Sequence, residues 1–192
     1  MLHIDNIVRR PLARKLSGIF PIHQVGEDPL LAGQAHSQAA TPHSRRNEIA
    51  AEDLVGHNYR IITKLADGGV DMFARQTQSL FLFLQGHPEY APETLGREYC
   101  RDVGRWLRGE DAMPALPQNY FDAASEAALR ELSEGADARD LTRFQDIVTA
   151  AAPRFPWRGH TLRLFSNWLA LVAAEKSRRV TRHAPLRSRL SA

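Results

Sequence analysis

The run Leu80-Phe81-Leu82-Phe83-Leu84 is five apolar residues without a break, and it stops abruptly at Gln85-Gly86-His87-Pro88-Glu89. Five residues are too few for a globular helix, and the aromatic content suits a strand buried on both faces. Strands of that kind belong to parallel sheets covered by helices, so the run predicts an α/β layered architecture. In open α/β sheets, ligands bind in the crevice beyond the carboxyl ends of the strands. His87 and Glu89 fall just past such an end, which makes the corner a candidate site.

The remaining pattern supplies the other layers. Residues 18–25, GIFPIHQV, read as a strand, and the following GEDPLLAG as a turn into a short helix. Two strand-like runs flank Asp67-Gly68-Gly69, a sequence suited to positive φ in a tight hairpin. Pro92 opens a helix whose apolar stripe is Leu95, Tyr99, Val103 and Leu107, and Gly109 ends it. Residues 123–151 divide into two short helices at Glu134-Gly135. A last amphipathic helix, roughly 160–176, is expected to present Leu164, Phe165, Trp168, Leu169 and Val172 to a core.

At 192 residues, 43% hydrophobic and 24% charged, the chain is long enough for one soluble domain with a sizeable core. No apolar run approaches the roughly 18 residues that span a bilayer. The residues after Met1 lack the apolar region and cleavage site of a signal peptide, so the expected compartment is the cytoplasm, with no membrane partner. The formal charge of +3 is unevenly spread, because residues 176–192 hold six Lys/Arg and no acid. That stretch has no aromatic residue for stacking bases and no recognition motif, which argues against a nucleic-acid partner. The domain is therefore expected to span residues 1–176, followed by a basic, disordered tail over 177–192.

A histidine and a carboxylate two residues apart at a strand end are able to face the same side, so Glu89 is placed to hold the His87 imidazole in one tautomer. Pro88 between them fixes φ and stiffens the corner. Base plus orienter is two thirds of a nucleophilic triad. The same three residues also make an ordinary turn, and the pattern alone leaves both readings open. Cys100, the only cysteine, sits beside Tyr99 in mid-helix, without the glycine-flanked elbow or helix N-terminus that activates a thiolate. The eight histidines show no His-x-x-x-His spacing and no Cys-x-x-Cys pair exists, so a metal centre is not expected. Walker and Rossmann glycine patterns are also absent.

Six motifs occur in order: RKLSGIF, TPHSRRNE, GHPEY, TLGREYCRD, NYF and WRGHTLRLFSNWL. Together they resemble the homoserine O-succinyltransferase/O-acetyltransferase family, over about residues 1–122 and 156–175. The resemblance implies a class I glutamine amidotransferase-like (flavodoxin-like) layered α/β fold. It also implies transfer of an acyl group from acyl-CoA to the homoserine hydroxyl through a cysteine thioester, for methionine biosynthesis. By motif position His87 would be the general base and Glu89 its orienter, while Lys15, Ser44 and Arg101 would contact substrate. Succinyl-CoA or acetyl-CoA would be the co-substrate, with no permanently bound cofactor, and a homodimer is a common assembly of such enzymes. In the family the nucleophilic cysteine precedes the segment resembling LHIDNIVRRPLARKLSGIF, and Met1 falls just after it. The fold is thus expected to be incomplete at its N-terminus and the chain inactive alone, with 123–155 as an inserted helical segment. A truncated, non-catalytic binding or regulatory relative is the alternative expectation.

Overall fold

The computed structural model describes residues 5–34, 39–135, 140–151 and 155–183. Its frame is a five-stranded sheet in the order β2-β1-β3-β4-β5, built from β1 (Arg10–Gln24), β2 (Ala40–Glu48), β3 (Arg60–Leu65), β4 (Val70–Gln76) and β5 (Leu80–Leu84). Every pairing between these strands is antiparallel. β1 is long because it serves two neighbours: Arg10 to Pro21 pair with β2, and Ile22 to Gln24 with β3. The expected hairpin joins β3 to β4, with Gly68 at φ +90° and the Asp67 side chain accepting the Gly69 N–H.

Among the described residues there are five α-helices: α1 (Ala51–Gly56), α2 (Thr94–Leu107), α3 (Ala123–Glu134), α4 (Leu141–Ala150) and α5 (Arg158–His183). The stripe Leu95, Tyr99 and Val103 of α2 is buried with Ile19 of β1, Tyr120, Leu129, Phe144 and Trp157. Asp122 and Asp140 start α3 and α4 by accepting N–H bonds from Ser125 and Thr142, each satisfying a donor the helix cannot. A second apolar cluster joins Leu54 of α1 to Tyr59, Val70 and Phe73, and a third joins Leu30 and Leu31 to Ile62, Met72, Ala74 and Leu164. No helix among the described residues is long and apolar enough to cross a membrane.

Three expectations need correction. β5 is not a strand buried on both faces of a parallel sheet; among the described residues it is an edge strand paired only with β4, and Phe81 remains 45% exposed. Phe83 stacks on Phe73 of β4 at 5.0 Å, which covers one face, but full burial needs a neighbour on each edge and a layer on each face. The last helix also turns a different stripe inward. Leu164 is buried, Asn167 donates to the carbonyls of Leu30 and Ala32, and Leu171 packs beside them. That 164/167/171 stripe, at helical spacing, leaves Phe165, Trp168, Leu169 and Val172 exposed. The helix continues to His183, so residues 177–183 are helical where a disordered tail was expected; 184–192 lie outside the described residues.

Candidate active site

The GHPEY corner is held from three sides. The His87 N–H donates to the Pro42 carbonyl of β2 at 2.7 Å, and the Tyr90 N–H closes the turn onto the His87 carbonyl at 3.1 Å. From the start of α5, Thr161 donates to the Pro88 carbonyl at 2.8 Å, and Trp157, fully buried, donates its indole N–H to the Tyr90 carbonyl at 3.1 Å. These bonds satisfy main-chain groups that a buried turn would otherwise leave orphaned. Gly86 is required by closeness, since a Cβ there would lie 2.4 Å from both Asp71 Oδ1 and Thr41 Cγ2.

On this turn His87 Nδ1 lies 2.8 Å from Glu89 Oε1. A carboxylate only accepts, so Nδ1 carries the proton and, in the neutral ring, Nε2 presents a lone pair. Tyr90 stacks on the imidazole with centroids 4.3 Å apart. Its hydroxyl donates to Glu98 of α2 at 3.2 Å, and burial followed by the Glu98 charge raises the phenol pKa. Glu98 is 3.4 Å from Arg101, which forks onto Asp102 at 3.0 and 3.1 Å, and Asp102 meets Lys15 of β1 at 2.6 Å. Burial alone would raise the Asp102 pKa, but the Lys15 hydrogen bond and the flanking cations outweigh it and hold the carboxylate below its usual range.

His87, Glu89, Arg101 and Lys15 thus lie on one continuous chain of contacts. Its connecting members, Tyr90, Glu98 and Asp102, were not singled out from the sequence. The available signal was the placement of two acids around Arg101 on one helix, within i,i+3 reach for Glu98.

Ser44 stands apart from that chain. It pairs with Ser17 across β1 and β2, two residues from Pro42, or about 7 Å along the strand. Residues directly opposite in an antiparallel pair share a face, so Pro42, Ser44 and Ser17 face the same side as Ile19, the side α2 covers, and Lys15 reaches that side through its bond to Asp102 of α2. The Ser44 hydroxyl is buried without a hydrogen-bond partner among the described residues. Beyond Lys15 a cavity of about 250 Å³ opens, lined by Lys15, Ser17, Tyr99, Asp102 and Met113, with Arg14 and Arg46 also among its walls. Neither His87 nor Ser44 reaches it.

Cys100 is 7% exposed on α2, and burial pushes its thiol up to about 11. A thiol that stays protonated at neutral pH is neither nucleophile nor ligand. Among the described residues no cluster of three or more His, Cys, Asp and Glu side chains is arranged to hold a metal ion.

Comparison with known proteins agrees with the order of motifs along the chain. The family model for homoserine O-succinyltransferase matches residues 1–178. A homoserine O-succinyltransferase of Methylorubrum extorquens is 44% identical over 180 residues, covering 90% of this chain and 54% of the relative. Those of Rhodopseudomonas palustris and Bradyrhizobium japonicum are 42% and 39% identical, covering 91% and 90% of this chain and 54% of each relative. The chain spans about half the length of the curated relatives it matches. On the match over residues 1–178, the chain belongs to the homoserine O-succinyltransferase family.

Proposed function

We propose that these residues form the base and substrate-binding side of a homoserine O-acyltransferase site. The carrying observation is His87 Nδ1 at 2.8 Å from Glu89, which leaves Nε2 free to take a proton from an alcohol. In this reading the homoserine hydroxyl gives its proton to Nε2 as its oxygen attacks an acyl thioester, and the thiolate leaves. Glu89 holds the tautomer and steadies the imidazolium that forms. Arg101, whose Nε and one Nη2 hydrogen are held by Asp102, offers its outer N–H donors to the amino-acid carboxylate, and the Ser44 hydroxyl and Lys15 ammonium fix the remaining polar atoms. Succinyl- or acetyl-CoA is the acyl donor and no resident cofactor is needed. The expected setting is the cytoplasm, with a homodimer as the assembly to test.

The thiol itself is not Cys100, for the reasons of burial and raised pKa given above. The reading places it next to the open edge of β5, whose carboxyl end runs directly into Gly86 and His87. The finer fold we propose is class I glutamine amidotransferase-like, with a further strand on that edge. Its support is an apolar strand left half exposed. The test joins this chain to the N-terminal part of the Methylorubrum extorquens relative and supplies homoserine with succinyl-CoA or acetyl-CoA. Acylated homoserine should form with the joined protein and not with the 192 residues alone. Equal turnover by the chain alone would overturn the reading.

A further inference from the structure

A second polar cluster lies directly beneath the His87 turn and has no role in the chemistry above. Asp71 of β4 is buried, accepts the Thr63 hydroxyl at 2.7 Å, and stands 3.1 Å from Nε2 of His43 on β2. His43 is wholly buried, and Arg45 donates to its Nδ1 at 3.3 Å. With Nδ1 accepting, the neutral ring carries its proton on Nε2, close to Asp71 Oδ1 but outside hydrogen-bond alignment, so both atoms are buried without a hydrogen-bond partner among the described residues. His160 of α5 also feels the Asp71 charge: burial lowers its pKa, and Asp71 opposes that shift. A buried carboxylate is costly unless it is paired and hydrogen-bonded, so the arrangement needs a reason.

The reason lies in what rests on it. Gly86 sits against Asp71 Oδ1, Thr41 and His43 Nε2 so closely that no Cβ fits. On one side of it the Gln85 N–H donates to the Asp71 carbonyl at 2.8 Å, and on the other the His87 N–H donates to the Pro42 carbonyl at 2.7 Å. Residues 85, 86 and 87 are therefore fixed at three successive points by Asp71 and by residues 41–43.

We propose that the buried His43–Asp71 pair is a positioning device for His87, setting the height of Gly86 over β2 and β4 and so the alignment of the imidazole on Glu89 and Tyr90. The pair touches no substrate and acts through the turn. A displacement near 1 Å at a reacting group is enough to cost on the order of 10²-fold in rate. The inference rests on the reading of His87 as the base only for its effect on catalysis, because the geometry it predicts is read on His87 itself.

Histidine side-chain nitrogen NMR on the full chain reports each ring's tautomer. Wild-type His87 should hold the Nδ1–H form, and Glu89→Ala should release it toward the mixture of free imidazole, defining the signature of a broken pair. Asp71→Ala should show the same loss at His87 although Glu89 is intact, while Asp71→Asn, which keeps the shape and an acceptor, should restore the Nδ1–H form. Thr63→Val removes one hold on Asp71 without changing volume and should give a partial loss; it carries the test if Asp71→Ala does not fold. A His87 signal unchanged from wild type in Asp71→Ala, or in Thr63→Val where only that variant folds, overturns the proposal, whatever happens to Tm. So does a wild-type His87 without Nδ1–H preference. Failure of the acyltransferase reading appears instead in the turnover assay.

Discussion

Two apolar surfaces flank the His87 turn, and only one of them is covered. Over β1 and β2, helix α2 buries Leu95, Tyr99 and Val103, and its charges find partners in Lys15 and in one another. Along β5 and α5, Leu80, Phe81, Leu84, Trp168, Leu169 and Val172 remain 36–61% exposed. A cavity of about 740 Å³ lies between the two elements, walled by Leu80, Trp168, Leu171 and Val172. Contiguous apolar exposure of this kind marks a surface that another polypeptide or ligand covers. The difference teaches that the described residues enclose the His87–Glu89 turn on the α2 side and leave the face beside β5 open.

The largest test of that contrast compares Trp157, just before α5, with Trp168 in the middle of that helix. Trp157 is fully buried and bonds the Tyr90 carbonyl, so Trp157→Ala should cost about 3–5 kcal/mol in denaturant unfolding. Trp168, 39% exposed, should cost under about 1 kcal/mol on the same change. Equal losses would mean that the α5 face is covered after all.

A smaller effect is expected at Asp102. Asp102→Ala strands Lys15, whose side chain is 16% exposed, and should cost about 1.5–3 kcal/mol. The sign with pH follows from the lowered Asp102 pKa. The stability it contributes is present above the unfolded carboxylate value of about 3.9 and is lost as pH falls through the lower folded value. Asp102→Asn should therefore flatten the acid limb of the stability curve, and an unchanged limb would contradict the pairing.

The smallest effect concerns Cys100. Its folded thiol pKa of about 11 is above the unfolded value of about 8.5, so this stabilising contribution is whole below that value and declines as pH rises toward the folded one. N-ethylmaleimide at neutral pH should label the native chain slowly and the unfolded chain fully, as read by intact mass. Rapid labelling of the native chain would return Cys100 to the list of reactive thiols.

The parts of this architecture that were legible are those fixed locally. The Asp67-Gly68-Gly69 hairpin follows from a positive φ at Gly68, the α2 stripe from helical spacing, and the His87–Glu89 pair from two residues on one stiff turn. The Lys15–Asp102 bridge joins residues 87 apart in sequence, and no local pattern announces it. His43 passed unnoticed beside Ser44 because burial, not residue type, is what makes it informative. The exposure of β5 and of α5 departs from the sequence expectation for one shared reason. An apolar run or stripe declares that a surface needs cover, and does not say whether the same residues supply it.

The most direct measurement of the central claim is homoserine acylation by the chain joined to a relative's N-terminal part, with His87→Gln and Glu89→Gln compared at constant fold. Loss of the base should lower turnover by about 10²–10⁴-fold, with Glu89→Gln lower than wild type but above His87→Gln. Turnover by His87→Gln at the wild-type level would contradict the account.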